Sequence, residues 1–166
     1  MSVTTIDEKL IEALEDAHAL EASVLRMLDS MQATTTDPVV LKLLAKHQTE
    51  TEQHEERLRK RLDKIAGGRS RKKDLVTQVG ALMKGFGDLA RSDKPMKNAR
   101  DGFMVEHLEI ATYELLERLA VLAGDKQTAE ICRRNRADEV RMAAAIAENW
   151  DRFLELTITE ERVAVV

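Results

Sequence analysis

Ionisable side chains stand in this chain at places where an amphipathic helix puts its core. Glu21 falls within the row Leu10, Leu14, Ala17, Val24, Leu28 and Met31. His47, Glu50 and His54 interrupt a second row of Val40, Leu43, Leu58, Leu62 and Ile65, and Glu139 interrupts a fourth built from Ala129, Cys132, Ala143, Ile146 and Phe153. Between them, Glu106 shares a face with Phe103, Ile110 and Tyr113, and Glu109 follows one turn later. A carboxylate buried without a partner is costly or titrates to its neutral form, so several converging in one core call for a cation to answer them. Carboxylates with imidazole, projecting inward from four helices, suit two divalent ions such as iron or manganese, with carboxylates bridging the ions.

The expected metal ligands are therefore Glu21, Glu50, His54, Glu106, Glu109 and Glu139, with iron favoured and manganese as the other candidate. His47 and His54 lie three residues before and four after Glu50, on the same helical face. His47 and His107 are expected as core histidines that hydrogen-bond around the ligands, and His18 as a surface residue. The Glu-x-x-His pattern usual for such bundles is absent: Gln53 stands three residues after Glu50, and Met142 and Ala143 follow Glu139.

These residues need long helices to position them. The chain has two prolines and seven glycines, and the intervening stretches are rich in Ala, Leu, Glu, Lys and Arg, which favour helix. A first helix is expected to begin after Thr4 and Thr5 and to run to about Gln32. Asp37 and Pro38 form a cap-then-proline start for a second that stops at Gly67 and Gly68. The second pair runs from Ser92 or Asp93 to Gly124, and from Asp125 to about residue 156. Residues 67–94, with the basic run Arg69 to Lys73 and apolar positions from Leu75 to Leu89, read as a crossover containing one short helix. Residues 157–166 read as a flexible tail. The fold class is all-α: one domain over 1–166, a ferritin-like four-helix bundle of two antiparallel hairpins joined by a long crossover.

Composition agrees with a folded domain. Hydrophobic residues make up 43% and charged residues 34% of 166, a balance unlike that of disordered or membrane-spanning chains. The net charge of −4 offers no general attraction to nucleic acid or anionic lipid, so no nucleic-acid or membrane partner is expected. The single cysteine, Cys132, reads as a small packed residue, and with no signal-like or transmembrane run the expected compartment is the cytoplasm.

Three segments resemble the ferritin-like YciE/YciF family of bacterial stress-response proteins: Asp16-Ala17-His18-Ala19-Leu20-Glu21, His47 with Glu50-Thr51 and Arg57-Leu58, and above all the run from Val105 to Tyr113 (VEHLEIATY). The resemblance spans nearly the whole chain. It implies a rubrerythrin-type bundle with a di-metal carboxylate site, homodimerisation and a cytoplasmic role under osmotic or oxidative stress. Where Ala143 stands, the family commonly has an acidic residue, and no histidine follows Glu139. The functional expectation is a metal centre that reacts with peroxide or dioxygen; the alternative is a non-catalytic helical dimer or scaffold with a degenerate site.

Overall fold

The computed structural model describes residues 4–66 and 94–162. Over these residues the chain is entirely helical: α1 (Ile6–Ala33), α2 (Pro38–Ile65), α3 (Lys94–Leu122), α4 (Lys126–Ala147) and α5 (Trp150–Glu161). The expected crossover helix lies outside the described residues.

Three of the four long helices start at a cap that their sequence supplies, and the cap expected for α3 at Ser92 or Asp93 lies outside the described residues. The Thr5 hydroxyl accepts from the Glu8 amide at 3.2 Å while Glu8 accepts from the Thr5 amide at 2.9 Å, a reciprocal capping box. Asp37 accepts from the amides of Val39 and Val40, and Asp125 from that of Thr128. At the end of α3, Gly124 takes φ +72°, a conformation that a side chain would strain.

Short connections fold α1 on α2 and α3 on α4 as two hairpins, which pack α1 against α3 and α2 against α4. The core divides into two apolar layers. One joins Leu10 and Leu14 of early α1 to Leu58 of late α2, Leu116 and Ala120 of late α3, and Ala129 and Cys132 of early α4. The other joins Met27 and Met31 to Val40, Leu44, Ala99, Met142 and Ile146. Neighbouring helices thus run antiparallel, and Glu21, His47, His54, Glu106, Glu109 and Glu139 fall between the layers.

The C-terminal boundary needs correcting. The fourth helix stops at Ala147, where the Asn149 side chain donates to the Ala145 carbonyl at 2.8 Å and competes with the continuing ladder. Helix α5 then turns Phe153 and Thr157 inward. Thr157, expected to open a tail, is buried, and its hydroxyl accepts from the Met96 amide at 3.0 Å, satisfying a first-turn N–H of α3. Helical residues run to Glu161. Cys132 is a buried free thiol, which burial pushes up to about 12 and so keeps protonated.

Candidate metal centre

The buried face of α2 consists of Val40, Leu44, His47, Thr51, His54 and Leu58, spaced four, three, four, three and four. That spacing sends both imidazoles into the bundle, two turns apart. Glu21 of α1, Glu106 and Glu109 of α3 and Glu139 of α4 meet them, and all six side chains are at most 1% exposed.

Two groups of ligand-type atoms result. His47, Glu106, Glu109 and Glu139 bring one atom each within 4.8 Å of one another, as do Glu21, His54 and Glu139. Glu139 belongs to both. Its Oε1 lies 2.7 Å from His54 Nδ1 and its Oε2 3.6 Å from His47 Nε2, while Glu106 approaches His47 Nε2 at 3.2 Å.

These approaches are close yet form no aligned hydrogen bonds. Among the described residues, nine buried side-chain nitrogen and oxygen atoms lack a hydrogen-bond partner, and all nine belong to these six residues, including both oxygens of Glu109 and of Glu139. Folded proteins leave few such atoms, so their concentration at one point is a chemical signal. The donor set suits divalent metal: four carboxylates and two imidazoles offer oxygen and nitrogen lone pairs, and two divalent cations would offset the carboxylate charge.

Electrostatics point the same way. Burial raises Glu21, and raises Glu109 well above the carboxylate range with Glu139, Glu21 and Glu106 adding to the shift. Glu106 moves up to about 7, burial outweighing the opposing effect of His47. Burial acts against charge on His47 and His54, but the adjacent carboxylates prevail: Glu106 and Glu139 bring His47 to about 9, Glu139 and Glu21 bring His54 to about 9. Without metal, protons are the cations that this cluster gathers.

Surrounding side chains fix the orientation of the cluster. His54 Nε2 stands 3.0 Å from Asp138 Oδ2; with its proton there, the Nδ1 lone pair turns toward Glu21 and Glu139. The Tyr113 hydroxyl donates to Glu21 Oε1 and accepts from Asn135 at 2.9 Å, and Asn135 accepts from Arg57 at 2.8 Å. A hydrogen-bonded chain thus leads from half-buried Arg57 to Glu21.

Of the residues expected from sequence, Glu21, His54, Glu106, Glu109 and Glu139 come together. Glu50 does not: it is half-buried, 3.4 Å from Lys46, 3.8 Å from Arg141 and 3.7 Å from His47 Nδ1. It lies off the row that contains Thr51, so α2 turns it to the rim, behind His47. His47 takes the inner place instead. His107, expected in the core, is exposed and bonds back to the Phe103 carbonyl. His18 is part-exposed and pairs with Glu55 at 2.6 Å. Asp138 and Asn135 were not singled out beforehand; their positions one and four residues before Glu139 were the available clue.

The fold has solved relatives. A protein of Xanthomonas campestris pv. campestris is 26% identical over 96% of this chain and 100% of its own, with a TM-score of 0.79. The stress protein YciF of E. coli is 19% identical over 92% of this chain and 99% of its own (TM-score 0.75), and YcfI of Rhodopseudomonas palustris 22% identical over 88% and 95% (TM-score 0.76). No curated protein matches the chain. The profile of the domain of unknown function DUF892 matches residues 5–159, nearly the whole helical bundle, and the chain therefore belongs to the DUF892 family, in keeping with its resemblance to YciE and YciF.

Proposed function

We propose that this protein is a ferritin-like metalloprotein whose six-residue core cluster binds two divalent ions, iron or manganese, and reacts with a small oxidant. The observation that supports it most strongly is that, among the described residues, all nine buried polar atoms without a hydrogen-bond partner belong to Glu21, His47, His54, Glu106, Glu109 and Glu139. Redox-active ions bound there would supply one-electron steps toward peroxide or dioxygen. The chain's own residues do the rest. Glu139 serves both halves of the cluster, Asp138 sets the His54 tautomer, and Tyr113 presents a hydroxyl proton at Glu21 Oε1. Two apolar layers keep bulk water from the carboxylates, which strengthens their attraction for a cation.

Elemental analysis of untagged protein purified without chelator tests this reading. Near-stoichiometric iron or manganese is expected in the wild type and none in Glu139→Ala. A wild type that gains no metal from either ion in solution would overturn it.

Association of two copies belongs to the same proposal. Met104, Leu115 and Leu122 are exposed apolar side chains on one face of α3, which a second copy would cover. Light scattering should give twice the chain mass, and Leu115→Glu should halve it. Among the described residues no helix is long and apolar enough to cross a membrane.

A further inference from the structure

One cavity in the bundle reaches the carboxylate cluster. It has a volume of about 30 Å³ and ends at Glu106. Along α3 it passes Pro95, Ala99 and Gly102 before Glu106, successive turns of one face, so it spans about 16 Å of helix from the bundle end to the cluster. Met27 and Met31 of α1, Leu44 of α2, Met142 of α4 and Phe153 of α5 are among the apolar side chains that form its other walls.

The walls offer almost nothing to a polar guest. The polar side chains Thr34, Thr35 and Asn98 stand at the outer end, and each already holds at least one hydrogen bond. The Thr34 hydroxyl donates to the Met31 carbonyl at 3.0 Å, Asn98 donates to Thr34 at 3.1 Å, and Thr35 accepts from the Asp37 amide at 3.3 Å. Deeper in, the polar group is Glu106, 1% exposed, with Oε2 lacking a partner. A water in such a place would want two to four hydrogen bonds, and hydrogen peroxide carries the same demand. An uncharged apolar molecule has no such requirement, and the volume exceeds the roughly 10–15 Å³ that a cavity needs to hold one molecule of water's size.

The geometry points to this cavity as a binding chamber and route by which a small apolar molecule of dioxygen's class reaches the Glu106 side of the cluster. It selects dioxygen over peroxide as the oxidant that travels this way. Reaction at the end of the route rests on the metalloprotein reading above; binding in the chamber does not.

Dioxygen itself is the probe. Metal-free protein carrying ¹³C-methyl methionine is placed under oxygen pressure, and paramagnetic relaxation of the methyl groups is measured. Met27, Met31 and Met142, which line the chamber, should relax more than the exposed Met96 and Met104. Ala99→Leu should abolish the excess by filling the chamber. Gly102→Ala is the gentler variant: its Cβ would lie 3.5 Å from Ile146 Cδ1 and 3.8 Å from Met31 Cε, ordinary contacts that the fold accommodates, and it should reduce the excess. An excess that is absent in the wild type, or undiminished in every folded variant of the two, overturns the inference. Metal content is measured in parallel. Oxygen entering a protein that retains no metal would keep the chamber and remove the metalloprotein reading; metal without oxygen entry would do the reverse.

Discussion

At one end of the bundle core Leu14, Leu58, Tyr113 and Cys132 close on one another with at most 1% exposure; at the other Met27, Met31 and Met142 leave a cavity that runs to Glu106. Among the described residues the first end contains no methionine. Its outer surface bears a depression of about 510 Å³, but that is lined by Leu10, Arg61, Ile65 and Asp125 among others and by none of the cluster residues. Branched and aromatic side chains are prominent there, whereas unbranched methionines fill irregular space loosely. The polar connections differ too. The Tyr113–Asn135–Arg57 chain joins Glu21 at the closed end, while Glu106 at the open end faces an apolar cavity. The two halves of the cluster are thus served differently, one through hydrogen bonds and the other through apolar space.

The largest expected effect comes from the residue that both halves share. Glu139→Ala should abolish binding of both ions, and with them the metal-induced stabilisation, which amounts to about 2.7 kcal/mol for a single ion at a hundredfold excess over its dissociation constant. Loss of one ion only, by elemental analysis, would divide the halves differently from the geometry.

The pH dependence of the metal-free protein follows from raised proton affinities in the cluster. Between the unfolded and folded values the folded protein holds more protons than the unfolded chain, so stability falls as pH rises. The contribution of Glu106 is full below 4.5 and lost by about 7; those of His47 and His54 are full below 6.5 and lost through about 9. Melting temperature of the chelator-treated protein should therefore decline across this window, and bound metal should flatten the slope. A metal-free protein that grows more stable with rising pH would refute the arrangement.

Packing should separate the ends by a smaller margin. Leu58→Ala at the closed end should cost about 4 kcal/mol, toward the upper part of the range for such truncations, and Met27→Ala beside the existing cavity about 2. Equal costs in urea denaturation would erase the comparison.

Tyr113→Phe leaves Glu21 Oε1 and Asn135 Nδ2 without their shared partner and should cost about 1–3 kcal/mol by the same measurement. The smallest effects concern the two capping aspartates, each gripped by an arginine from another helix. Asp125 and Arg61, 2.6 Å apart, are both at most 14% exposed, whereas Arg152, 2.6 Å from Asp37, is 37% exposed. Replacing Asp125 by Ala should cost about 2 kcal/mol and Asp37 about 1.

Much of this was legible beforehand because helical burial repeats locally. The rows that hold Glu21, Glu106 and Glu139 are mostly apolar, so an ionisable residue within them stands out. Helix α2 is polar enough that two neighbouring faces both pass as buried: one with Glu50, one with Thr51. A difference of about 100° in helix rotation chooses between them. That rotation is set by what α2 packs against, and it sends His47 inward and Glu50 to the rim. Likewise nothing local distinguished a continuing fourth helix from the break at Asn149, because Thr157 finds its role only on reaching Met96 of α3.

The sequence by itself determined four long helices, the caps of three of them and a set of carboxylates at mid-height, since caps and periodicity act over a turn or two. Only the tertiary structure decided which histidine joins the cluster, which carboxylate serves both halves and which end of the core stays open. Those outcomes depend on rotations and side-chain volumes of helices far apart in the chain, which no single helix records.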